Sequence, residues 1–212
     1  MALFPDVLTD RYRRFKHRIF VPNADQYEEL ATYGQNPEIM LISCCDSRVD
    51  PETIFNAMPG ELFVARNVAN LIPPYETGGK FHGVSAGIEF AVMNLRVKHI
   101  VIMGHSGCGG IKAALDQSAA VETEAHFISR WMSMLDEARL SVLASHQMKS
   151  AAEKLEALEK EGIKTSIKNL RTFPFVRERE DKGRLNLHGA HFDIKTGTLA
   201  VLSHSRGEFF PL

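Results

Sequence analysis

The side chains best suited to chemistry fall into two short clusters, Cys44-Cys45-Asp46-Ser47-Arg48 and His105-Ser106-Gly107-Cys108-Gly109-Gly110. Each follows a short apolar run, Glu38-Ile-Met-Leu-Ile-Ser43 before the first and His99-Ile-Val-Ile-Met103 before the second. If these runs are neighbouring parallel strands, a cysteine from one cluster meets a His-x-x-Cys pair from the other. Two thiolates and an imidazole make a borderline-soft site that suits zinc, and three protein ligands leave the fourth tetrahedral position open. Plainer roles stand beside this one. A loop histidine is commonly only hydrogen-bonded, a buried cysteine packs as a small hydrophobe, and Gly107, Gly109 and Gly110 permit a tight turn. Asp46 and Arg48 can form a planar two-point pair that keeps the carboxylate ionised beside a metal, or a surface ion pair of little consequence. Asp50-Pro51 reads as a helix cap and first turn, which favours the first role. Two other loops are excluded. Arg48 follows Cys44 after three residues and Cys45 after two, not the five of a cysteine phosphatase, and Gly110 precedes Ile111 rather than the Lys of a nucleotide-binding loop.

The elements that must position these clusters are legible as alternation. Besides the two apolar runs, Leu62-Phe63-Val64-Ala65 reads as a strand entered through the Pro59-Gly60 turn. Val84, Ile88, Val92 and Leu95 mark a crossover helix. Strands alternating with helices predict an α/β fold, mainly a parallel sheet flanked by helices, with ligands at the carboxyl ends of the strands. Leu8, Tyr12, Phe15 and Ile19 predict an amphipathic N-terminal helix with Arg11, Arg13, Arg14, Lys16 and Arg18 on its other face, and a second helix runs from about Asp25 to Gly34. Residues from about 111 to 172 read mostly as helix. The tail alternates through Leu185–Gly189 and Thr198–Leu202 and predicts a hairpin or an edge strand.

Composition bounds the rest. The 212 residues are 44% hydrophobic and 24% charged, enough for one ordinary domain, expected here as an N-terminal helical arm over 1–34 and an α/β core over 35–212. Lys and Arg total 25 against 26 Asp and Glu, a formal charge of -1, so no global field recruits nucleic acid or a membrane surface. No apolar run reaches the length of a spanning helix, and charges begin at Asp6. Three cysteines, two of them adjacent, make a poor disulfide framework. A cytoplasmic protein is expected.

Cys44-x-Asp46-Ser47-Arg48 followed by His105-x-x-Cys108-Gly109-Gly110 resembles the β-class carbonic anhydrases. The resemblance continues through Pro59-Gly60-Glu61 to Arg66-Asn67-Val68-Ala-Asn70, Gly83-Val-Ser-Ala-Gly-Ile-Glu89-Phe90 and Leu187-His188-Gly189. It implies one Zn²⁺ per chain on Cys44, His105 and Cys108, with Asp46 and Arg48 catalytic and Asp46 a metal ligand only in a closed form. It implies reversible hydration of carbon dioxide to bicarbonate and a proton, by attack of a water activated at the metal and oriented by the Asp46–Arg48 pair. Gln35, Phe63, Val68, Phe90 and Gly109 match substrate-side positions of the plant-like branch, with Phe90 replacing a tyrosine. Cys45 falls at a variable position and reads as a packing residue. Bicarbonate-inhibited relatives carry a tryptophan three residues before the first zinc cysteine, where this chain has Leu41, which implies the unregulated type. The expected partners are carbon dioxide, bicarbonate and a second copy of the chain, as a homodimer or dimer of dimers. Alternatives are hydrolysis of carbonyl sulfide or carbon disulfide, an inactive zinc-binding relative, and nucleic-acid binding by the basic helix.

Overall fold

The computed structural model describes residues 4–79, 82–116 and 126–212. It divides into two compact units, Met1–Asn36 and Pro37–Leu212. In the first, α1 (Asp6–Phe15) passes through a π-helical turn and a 3-10 turn containing Pro22 into α2 (Ala24–Tyr33). Gly34 ends α2 with φ 82, a left-handed conformation that costs a glycine little. Phe15 and Phe20 both pack on the ring of Tyr27. Even so, none of the described residues of this unit is buried, and Leu8, Tyr12, Phe15 and Ile19 stay exposed.

The second unit is built on a six-stranded sheet ordered β2-β1-β3-β4-β5-β6. Its strands are β1 (Ile39–Cys44), β2 (Leu62–Asn67), β3 (His99–His105), β4 (Asn186–Phe192), β5 (Leu199–Ser203) and β6 (Glu208–Pro211). The first four are parallel, β5 pairs antiparallel to β4, and β6 pairs antiparallel to β5. The expected neighbours β1 and β3 pair directly, Ile39 opposite His99 through Ser43 opposite Met103. Because β2 lies on one side of β1 and β3 on the other, the strand order reverses between them, and there the loops leaving their carboxyl ends part and open a crevice.

The expected crossover helix is α4 (Gly83–Glu89), continued by a π-helical turn (Phe90–Leu95) that sinks Ile88 and Val92 fully into the core. The segment expected to be helical contains α5 (Gly109–Asp116) and the helices His126–Met132, Asp136–Ser145 and Ala151–Leu170, while residues 117–125 of that expectation lie outside the described residues. The longest of these starts on a capping box, Ser150 with Glu153, and packs closely on the sheet through Ile163. A Cβ on Gly104 would come within 2.9 Å of Ile163, and one on Gly189 within 2.8 Å, so the two glycines permit that approach.

The tail forms the expected hairpin and adds a further strand to it. Strands β4 and β5 do form a hairpin, but β4 is interior, paired in parallel to β3, and the edge belongs to the unanticipated β6. Within β4, Gly189, Ala190 and His191 are all buried. The polar residue among them, His191, is satisfied by a partner distant in sequence, the buried Glu159.

Candidate metal centre

Cys44 ends β1, His105 ends β3, and Cys108 stands just before α5. Their ligand atoms lie within 4.8 Å of one another, and the two Sγ atoms are 3.9 Å apart. Among the described residues this is the one group of three or more His, Cys, Asp or Glu side chains so arranged. All three are buried. The His105 ring lies 3.0 Å from the Ser106 carbonyl through Nδ1, so Nδ1–H donates and Nε2 keeps its lone pair. That Nε2 is buried with no hydrogen-bond partner, and the two sulfurs within 4.8 Å of it offer no strong donor. A buried acceptor left without a donor is costly, and a soft cation between the three atoms would satisfy it. The donor set fits Zn²⁺, since it holds two thiols, an imidazole in the metal-binding tautomer, and a carbonyl that fixes that tautomer.

Electrostatics agree with the geometry. Burial works against charge on His105, but the nearby Cys44 sulfur, the Ser106 carbonyl and the Asp46 carboxylate outweigh it and raise its proton affinity. The hydrogen bond between the two sulfurs pulls Cys44 towards thiolate and pushes Cys108 towards thiol.

Asp46 stands beside this cluster, Oδ2 at 3.9 Å from His105 Nε2. Arg48 donates from Nε to Asp46 Oδ1 (2.9 Å) and from Nη2 to Oδ2 (2.7 Å), and its backbone N–H adds a third bond to Oδ1. These bonds hold the Asp46 carboxyl well below the usual carboxylate range. Arg48 Nη2 also reaches the Gly107 carbonyl at 3.1 Å, which ties the loop after β1 to the loop after β3. The expected cap is present, with Asp50 accepting from Thr53 N–H and Pro51 opening the short helix α3 (Pro51–Ile54).

Several supports come from outside the two clusters. Arg66 donates to the carbonyls of Cys44, Asp46 and Val49 and pairs with Asp50, so a single guanidinium organises the whole turn. Ala69 N–H points at Cys44 Sγ from 3.4 Å, in a turn where Ala69 and Asn70 adopt left-handed φ of 63° and 49°. On the other side, the Glu159 carboxylate accepts the Cys108 N–H at 3.1 Å. A signal for Glu159 did exist: it lies in the apolar stripe Leu155, Leu158, Gly162, Ile163 of a capped helix, where a charge needs a partner.

The remaining candidates divide. Val68 follows β2 beside the cluster, and a Cβ on Gly110 would lie 2.9 Å from it. Its carbonyl accepts the indole N–H of Trp131. Gly109 starts α5 next to Cys108. Phe63 and Phe90 do pair, centroids 5.8 Å apart, but Phe63 is in register with Met40, four residues before Cys44. At about 3.3 Å per residue that is roughly 13 Å from the ligand cysteine, so these rings do not wall the cluster of their own chain. Gln35 lies in the N-terminal unit. Cys45 is exposed and its thiol stands outside the ligand group, so within this chain it does not pack as expected.

Residues 39–199 match the family model for carbonic anhydrase. The chain belongs to the β-class carbonic anhydrases. It is 34% identical to mitochondrial beta carbonic anhydrase 6 of Arabidopsis thaliana, over 92% of this chain and 67% of that one. Its structure resembles the β-carbonic anhydrase CcaA with a TM-score of 0.91, at 32% identity over 98% of this chain and 91% of that one. Tetrameric β-carbonic anhydrases from Sordaria macrospora superpose with a TM-score of 0.82, at 30% identity over 93% of this chain and 96% of theirs. Members of this family are enzymes, and none of the described helices of this one is long and apolar enough to cross a membrane.

Proposed function

We propose that the chain catalyses reversible hydration of carbon dioxide to bicarbonate and a proton, with one zinc ion held by Cys44, His105 and Cys108. The observation that carries this reading is the orphaned Nε2 of His105, buried between two cysteine sulfurs and a carboxylate. When bound, zinc supplies a Lewis acid that acidifies water near neutral pH. Asp46, kept ionised by Arg48, presents a carboxylate oxygen that can only accept, and so it orients a water by taking its hydrogen. Arg48 keeps that oxygen from turning onto the metal, which supports an open site at neutral pH. Val68 and Gly109 contribute the near wall. The far wall, Phe63 and Phe90, belongs in this reading to a second copy of the chain, and Gln35 serves as a donor to bound bicarbonate or hydroxide.

Two observations support that assembly and its regulation. The N-terminal unit exposes Leu8, Tyr12, Phe15 and Ile19 along one helical path, a face of the kind that subunit contacts cover. Leu41 is buried among Met103, Ala190 and Phe192, an apolar setting with no place for an anion, and Arg66 is committed to the turn after β1. Both support a homodimer or dimer of dimers without bicarbonate inhibition. Free, unbridged cysteines suit the reducing cytoplasm. The test is stopped-flow hydration of carbon dioxide on metal-quantified protein, run beside carbonyl sulfide and carbon disulfide. Protein with one zinc per chain and no hydration above buffer would refute the proposal, and faster turnover of a sulfur gas would reassign the substrate.

A further inference from the structure

The zinc cysteine Cys108 is held from behind by two residues that no motif includes. Glu159, on the helix Ala151–Leu170, has its side chain 2% exposed. Its Oε1 accepts the Cys108 backbone N–H at 3.1 Å, and its Oε2 lies 3.0 Å from Nε2 of His191, which is 6% exposed. A carboxylate accepts and the ring N–H donates, so both oxygens are used by buried partners. The pair reaches the loop from two separate elements, a helix and strand β4. Close packing of Ile163 on Gly104 and Gly189 sets the height of that helix over β3 and β4, and Glu159 lies one turn before Ile163. The same pair lines a cavity of about 550 Å³ that also touches Ser106 and Gly107 but none of the three ligands. Neither residue is therefore placed to touch substrate.

We infer that Glu159, braced by His191, is a positioning residue for the metal centre, fixing the backbone of Cys108 so that its sulfur meets the same point as Cys44 and His105. The inference rests on the proposed zinc reading. The physical reason is that Cys108 has no strand to hold it. Its loop leaves β3 after His105, turns through Gly107 at φ 69, and becomes a helix at Gly109. The Arg48 bond to the Gly107 carbonyl restrains one side of this turn. The Glu159 bond restrains the other and fixes which way the Cys108 peptide faces. Groups that orient metal ligands in this way commonly change metal affinity or activity by about 10–100-fold when removed.

The test uses the full-length protein loaded with zinc, and separately with cobalt(II), whose thiolate charge-transfer bands report the sulfur geometry. Glu159→Leu fills the space without an acceptor. It should release zinc to a chromogenic chelator about 10–100-fold faster than wild type and weaken or shift the cobalt bands. Glu159→Gln keeps an acceptor oxygen and should restore both readouts to near wild type. His191→Leu should move them the same way as Glu159→Leu by a smaller factor, and it carries the test if Glu159→Leu does not fold. Leu170→Ala, a core truncation in the same helix, controls for lost stability. Leucine variants with wild-type release rates and bands would overturn the inference, as would a Leu170→Ala protein of matched melting temperature that releases zinc equally fast. A wild-type protein that takes up neither metal would overturn the zinc reading as well, so the two failures are distinct.

Discussion

Strand β3 begins and ends on a histidine, and its two ends have opposite chemistry. At the carboxyl end His105 meets two sulfurs and the Asp46 carboxylate, and its affinity for a proton is raised. At the amino end His99 Nδ1 lies 3.0 Å from Nε2 of His188, with His204 bonded to the neighbouring Leu187 carbonyl. There burial first, then the charges of His99 and His204, lower the affinity of His188. The residue type is the same, and His188 stands on the neighbouring strand β4 with its ring against His99, the first residue of β3. What differs is the company: anionic ligands gather at the carboxyl end, where two loops diverge, whereas at the amino end three imidazoles come together and the Glu38 carboxylate is paired to Lys98. A histidine binds a cation where its neighbours are acceptors and resists one where they are not.

The largest expected effect separates the two ends directly. His105→Ala, Cys44→Ser and Cys108→Ser should each lose most bound zinc and cut carbon dioxide hydration by more than about a hundredfold. His99→Gln and Cys45→Ser should keep both, as read by metal analysis and stopped-flow kinetics. If His99→Gln also emptied the site, the two ends would be coupled and the contrast would fail.

Next in size, Arg48→Ala releases the carboxylate that gives the carboxyl end its acceptor character. Turnover should fall about a hundredfold with zinc retained, because Asp46 is then free to turn onto the metal. Unchanged kinetics would reduce the Asp46–Arg48 pair to a surface ion pair.

A smaller effect tests whether the amino-end half of the sheet serves a partner's metal. Phe63→Ala should lower turnover roughly tenfold without loss of zinc. The double change Phe15→Asp with Ile19→Asp should yield monomers by sedimentation and the same kinetic loss. Monomers with full activity would show that each chain completes its own site.

The smallest effect concerns pH. With its folded-state proton affinity depressed, His188 takes up a proton later than the same residue in the unfolded chain, whose pKa is about 6.5. Stability is therefore undiminished above that value and falls as pH drops through it towards the lower folded value. His188→Gln should remove part of this acid-side loss, on the order of 2 °C in melting temperature between pH 7 and 5. A wild type with no acid-side loss in that range would contradict the depressed affinity.

The parts of the molecule that were legible in the sequence share a property. Each is written in residues close together along the chain, as in Cys44-x-Asp46-x-Arg48, His105-x-x-Cys108, the apolar runs of β1 and β3, and the Asp50-Pro51 cap. Strand β6 was missed because four residues ending in Phe-Phe-Pro carry no period. The β4–β5 hairpin was legible, but the interior place of β4 was not, because the partners of His188 and His191 are 89 and 32 positions away.

By itself the sequence determined the donor types, the two loops that carry them and the parallel α/β architecture that sets those loops at strand ends. Local patterning reports periodicity, capping and ligand chemistry, and those suffice for this much. The tertiary structure alone decided that β1 and β3 are neighbours and that Cys44 rather than Cys45 turns towards His105. It also decided that Ala69 and Glu159 direct a hydrogen bond at one ligand and an acceptor at another, and that Phe63 lies too far up its strand to serve its own metal. Those facts depend on register and on packing between segments distant along the chain, such as Ile163 on Gly104 and Gly189. No local pattern encodes the close approach of two surfaces, because it exists only after both have folded.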